Sequence, residues 1–212
     1  MCDRFAGQGY AVCAPALFDR VEKGVELGYT QNEIDTGRAY RMKLDGAKVM
    51  TDVEAAAKRL AGNKLGIVGY GFGGTVAWWG ATRSRSFAAS SYWYGGGIAG
   101  TRDERPHCPV QMHFGEKDAS IPMTDVDSIR AAPRNRKSSR MSMWARPTDS
   151  AATSEAVSAS PTTNWRNDAR WNSSTNISAD TCRHAWRIVR CVDKWGRPVV
   201  IVGHSLPRIT TE

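Results

Sequence analysis

The stretch Lys64 to Gly74, KLGIVGYGFGG, constrains the fold of this 212-residue chain more than any other. Leu65-Gly66-Ile67-Val68 is a β-rich apolar run that enters a glycine-dense turn, and Thr75 to Ala81 continues with helical spacing. Strand, sharp turn and helix in that order is the layout of a nucleophile elbow. In an elbow the reactive residue stands at the tip of the turn, between a glycine two before it and a glycine two after it. Here those glycines are Gly69 and Gly73, and the tip is Gly71. Glycine has no side chain to attack with. The stretch that predicts an enzyme's architecture therefore also raises doubt about catalysis. A phosphate-binding loop is the other use of such a turn, but neither G-K-[ST] nor the G-x-G-x-x-G spacing is present.

The remaining pattern up to residue 132 alternates strands with helices. Residues 1–9 read as the end of a helix, with Gly7 and Gly9 as stop signals. Tyr10 to Ala14 reads as a short buried strand closed by Pro15. Beginning inside a helix is unusual for an α/β sheet, so an N-terminal strand and loop are expected to be absent. Residues 33–60 keep a period near 3.6, with Gly37 and Gly46 as candidate breaks. Residues 87–94 and 108–114 read as strands, and 124–132 as a helix. This alternation predicts a parallel sheet with helices packed on it. After Ala132 the pattern fails, and residues 133–160 offer no strand or helix. In the rest of the tail only 186–192 and 198–202 look regular.

Charge follows the same division. Residues 1–132 carry 16 Lys and Arg against 15 Asp and Glu, whereas residues 133–212 carry 13 against 6, with five of the eight tryptophans. The first part is a near-neutral domain and the second a basic, low-order tail. The five cysteines are odd in number and form no CxxC pair. That argues for reduced thiols in a cytoplasmic setting and against a zinc site. No run approaches a membrane span of roughly 18 apolar residues, and the N-terminus has no signal-peptide pattern.

Six segments now stand in a telling order: DRFAGQGYAVCAPALFDR, GVELGY, the long helix, GIVGYGFGG, YWYGGGI and CPVQMHFGEKDASIP. Over about residues 3–132 the chain resembles the dienelactone hydrolases (carboxymethylenebutenolidases). The resemblance implies a three-layer α/β-hydrolase sheet, here truncated at the N-terminus and followed by an irregular tail. It implies hydrolysis of a small-molecule lactone or carboxylic ester, with no metal and no organic cofactor. By position, the family's nucleophile falls on Gly71 and its acid on Asp118. The Phe72 N–H becomes an oxyanion donor, and Tyr40 matches a substrate-contacting tyrosine. The arginine expected just before that tyrosine is replaced by Thr36. A thiolate or alkoxide at the tip would attack the carbonyl while a histidine moves the proton and an aspartate orients it.

The family also implies a catalytic histidine in a G-H-G-F type turn near the C-terminus. As written, residues 133–160 offer none. In a shifted reading frame Met143 to Ser150 permit V-G-x-A-H-G-F, and residues 161–177 permit a closing amphipathic helix. A frame switch near residues 133–138 is therefore expected. Of the histidines in the frame as written, His107 reads as a loop residue and His113 as a sheet residue. His204-Ser205 resembles a second elbow, but Pro207 stands where the second glycine belongs. Two other classes stay open. One is a relative that binds family-type ligands without turnover. The other, less favoured, is a basic nucleic-acid binder acting through the tail, with steep salt dependence.

Overall fold

The computed structural model describes residues 2–7, 10–28, 30–60, 64–132, 141–146 and 199–204. A six-stranded sheet organises them, in the order β1-β6-β2-β3-β4-β5. The strands are β1 (Ala11–Cys13), β2 (Lys64–Tyr70), β3 (Phe87–Trp93), β4 (Val110–Gly115), β5 (Met141–Arg146) and β6 (Val199–His204). The helices are α1 (Cys2–Gly7), α2 (Gln31–Lys43), α3 (Gly46–Arg59), α4 (Phe72–Arg83) and α5 (Met123–Ala131). None of the described helices is long and apolar enough to cross a membrane.

Side-chain alternation along β2 sorts the core into two layers, as the period of a strand requires. Leu65 and Ile67 join Val49 and Val53 of α3, Val76 and Trp78 of α4, and Val126 and Ile129 of α5. Val68 and Tyr70 point the other way and pack with Val12 and with Phe5 of α1. α4 is apolar almost all round and is buried from Gly73 to Trp78 and from Gly80 to Thr82, the condition expected of a helix hidden inside a domain.

The expected break in the long helix falls beside Gly46, not at Gly37. Asp45 caps α3 by accepting from the N–H groups of Ala47 (2.7 Å) and Lys48 (3.3 Å). Those N–H bonds, the Lys48 one first, hold its carboxyl below the usual range. An aspartate at this position satisfies donors that a continuous helix would not leave free, so it starts a new helix. Gly37 instead lies buried inside α2.

Two features of the sheet depart from the sequence reading. The first is β5. Residues 141–146 pair in parallel with β4, from Val110↔Met141 to Gly115↔Arg146, in a stretch where no element was expected. The second is direction. β2, β3, β4 and β5 are mutually parallel, but β6 runs antiparallel to both β1 and β2. The sheet is therefore mixed. The apolar run at 198–202 was legible as regular structure, and the strand Val199–His204 overlaps it. The run at 186–192 lies outside the described residues.

Candidate active site

β2 ends at Tyr70, and α4 begins at Phe72 with Gly71 as its N-cap. Gly71 has φ 55° and ψ −120°, a left-handed backbone that costs a side-chain-bearing residue about 1–3 kcal/mol. Its N–H donates to the Trp93 carbonyl at 3.0 Å, and its own carbonyl accepts from the N–H groups of Gly74 and Thr75. The turn is tight because its glycines allow close approach. A Cβ on Gly69 would collide with the Gly73 carbonyl, and one on Gly74 would lie 2.7 Å from the Trp93 oxygen. The strand–turn–helix read from Lys64 to Gly74 is thus the geometry observed, and its tip is buried backbone.

Phe72 is the first residue of α4, and N–H groups in the first turn of a helix have no acceptor within the helix. Its half-buried ring meets Trp79 edge-on at 6.2 Å. The Arg41 guanidinium sits 5.3 Å from the same ring's centroid, so the end of α2 reaches the elbow. Arg41 escaped the sequence reading. It follows Tyr40 directly, but nothing in its own neighbourhood marks it as a neighbour of residue 72.

Tyr40 is half-buried and already engaged. Its hydroxyl donates to Glu22 Oε2 at 2.5 Å, and that bond keeps the phenol protonated by raising its pKa. The ring meets Phe18 edge-on at 6.0 Å, and the Lys43 ammonium lies 5.8 Å from its centroid. A ligand reaching this hydroxyl competes with Glu22, which the sequence did not single out.

Asp118 lies three residues beyond the end of β4 and is 5% exposed. Its Oδ1 accepts from the Ser120 N–H at 2.8 Å, its N–H donates to the Gly115 carbonyl, and its carbonyl accepts from the Ile121 N–H. These bonds fix a carboxylate on a strand-end turn. β3 separates β2 from β4, so Gly71 and Asp118 stand at the same edge of the sheet, about 10 Å apart laterally by strand spacing. The ends of the three strands are tied together. Gly71 bonds Trp93, and the Tyr94 N–H donates to the His113 carbonyl at 2.8 Å.

The described histidines stand in a loop, within β4 and at the end of β6. His107 is exposed, and its backbone N–H donates to Ala81. The His113 ring lies flat on Trp93, with centroids 3.7 Å apart and planes 7° apart, as a sheet residue. His204 pairs with Lys64 at the opposite end of β2 from the elbow, which removes it as a substitute base for the tip. Ser205 lies outside the described residues. Among the described residues, no group of three or more His, Cys, Asp or Glu is placed to hold a metal ion.

Known proteins share this arrangement of sequence. The chain is 33% identical over 146 residues to a protein of Synechocystis named "Putative carboxymethylenebutenolidase", which aligns over 61% of this chain and 59% of its own length. A protein of the same name from Yersinia pestis is 30% identical over 150 residues, covering 63% and 55%. The chain thus spans little more than half the length of these relatives. It is also similar to the crystal structure of a Klebsiella pneumoniae protein titled "Putative Dienelactone Hydrolase". That match has 22% identity and a TM-score of 0.47, and covers 63% of this chain and 64% of the other. The model of the dienelactone hydrolase family matches residues 1–145, which takes in β1 to β4, the elbow and the Asp118 turn. With β1 to β4, the glycine turn between β2 and α4 and the greater part of its length inside that match, the chain belongs to the dienelactone hydrolase family.

Proposed function

We propose that this chain carries the family's site for a small-molecule lactone or carboxylic ester but hydrolyses such compounds little or not at all. The observation that supports this is Gly71. Gly71 stands at the tip of the turn between β2 and α4 with a positive φ, and it offers no Sγ or Oγ to form the acyl intermediate. The remaining parts fit the chemistry in their places. The Phe72 N–H, at the start of α4, would face the oxyanion. Asp118, fixed by Ser120, would orient a histidine. Tyr40, released from Glu22, would contact the substrate. An oxyanion donor contributes roughly 3 kcal/mol to a transition state, but without a nucleophile no acyl–enzyme forms for it to stabilise.

A cytoplasmic setting fits the odd, unclustered cysteines. The basic tail reads best as a segment out of frame with the family. Resequencing the gene through codons 60–180 tests this. A family histidine in the shifted frame supports it, and a shifted frame full of stops overturns it.

The test of function uses p-nitrophenyl acetate. The folded chain is expected to release p-nitrophenolate no faster than the urea-unfolded chain, and Asp118→Asn is expected to leave that rate unchanged. Gly71→Cys is expected to add one burst equivalent per chain, because it places a thiol at the tip. Turnover that requires the folded wild-type chain would overturn the proposal. If it also survived Asp118→Asn, it would come from a different site.

A further inference from the structure

The slot between β1 and β2 is filled by the last of the described strands, in the opposite direction to its neighbours. β6 pairs with Lys64 to Gly69 of β2 and with Ala11 to Cys13 of β1. Among the described residues, β1 has no other strand partner. β2 is otherwise bonded on its other side alone, to β3. Without β6, the described strands would leave an open edge along β2, the strand that ends in the elbow. Such an edge is a template for any extended apolar segment.

Connection and direction decide which segment fills it. β5 lies at the far edge of the sheet, with three strands between it and β6. β5 runs parallel to β2 and β6 antiparallel to it, so β5 leaves and β6 enters at the same end of the sheet, the elbow end. Residues 147–198 join them. The entropic cost of closing a connection grows with the number of residues it spans. A second copy of the chain offers the identical strand, Val-Val-Ile-Val-Gly-His, with every pairing preserved. Exchange of an identical element between copies keeps the contacts and changes only the connection, so it is a low-cost route to a dimer.

We propose that the β1/β2 slot accepts β6 from a second copy, giving a strand-exchanged dimer in which each chain completes the other's sheet. The dimer forms on folding at high protein concentration and, once formed, separates only by unfolding.

Two measurements on the full-length chain test this. In the first, Val68→Cys and Val200→Cys, which face each other in the register, are combined. Copies labelled with light and heavy nitrogen are unfolded, mixed, refolded and oxidised. Mass spectrometry of the 68–200 link should find mixed-isotope pairs whose share rises with refolding concentration. In the second, the wild-type chain is refolded between about 1 μM and about 1 mM, the upper end being the effective concentration that a short flexible linker gives, and its mass is measured by light scattering. A doubled mass should appear at the upper end, persist on dilution, and return to one chain after unfolding and dilute refolding. Three results would each overturn the proposal: links only between residues of the same isotope in folded protein, a single-chain mass throughout, or a dimer that separates promptly on dilution. The second measurement stands alone if the cysteine variant does not fold.

Discussion

Gly69 has no room for a methyl group. Its hypothetical Cβ would meet the Gly73 carbonyl and the Gly74 nitrogen, all backbone atoms that cannot step aside as a flexible side chain would. Gly69→Ala is expected to destabilise the fold by about 2–3 kcal/mol or more, read as a lower midpoint in urea. Cys108 makes the opposite point about a reactive atom. It is 4% exposed, and burial pushes its thiol up to about 11. It should resist iodoacetamide at neutral pH in the folded chain and react once the chain is unfolded, because only the thiolate is nucleophilic. At this scale the sequence was legible where spacing alone carries the meaning. The glycines at 69, 71 and 73 define a turn by their intervals. The partners of Tyr40 and Phe72 were not legible, because Glu22 and Arg41 meet them through the packing of α2, and no local pattern records that packing.

At the level of the element, α2 shows how little burial a helix needs when its end is well bonded. Gly37 is its single fully buried residue, yet Thr30 and Glu33 close a reciprocal capping box at its start. The Thr30 N–H donates to Glu33 Oε2 at 3.0 Å, and the Glu33 N–H donates to Thr30 Oγ1 at 3.4 Å. Thr30→Ala is expected to cost about 1 kcal/mol, measurable as a shift in the urea midpoint at constant slope. Strands were harder to read than helices. β5, Met-Ser-Met-Trp-Ala-Arg, is short and mixes charge with apolar residues, so periodicity does not mark it. It exists as a strand because β4 offers it an edge. β6 is apolar enough to be read as regular, but the direction of a strand is set by its neighbours. Nothing in Val199–His204 says that it lies antiparallel.

The whole molecule is held partly by carboxylates that must stay ionised. Burial alone would raise the pKa of Glu104, but hydrogen bonds from Arg83 and Thr82 outweigh it and hold the group below its usual value. Glu33 is lowered by hydrogen bonds from Thr30 and from the Gly28 N–H, and Asp45 by its helix-capping bonds. A carboxylate with a depressed folded-state pKa contributes stability that is complete above its unfolded value, about 4, and is lost as pH falls through the folded value. Thermal stability should therefore be flat from about pH 7 to 5 and decline below about 4. A thermal midpoint that rises between pH 5 and 3 would contradict these assignments. The placement of β6 also sets a schedule. It is the last described strand in the sequence, yet it sits between the first two. Among the described strands, none but β6 pairs with β1 or covers the second side of β2, so during synthesis those pairings wait until residue 204 is available to meet Lys64. Pairings of such long sequence separation are slow to form. The half-built sheet thus passes through an aggregation-exposed interval, and its length is governed by the time taken to make the tail.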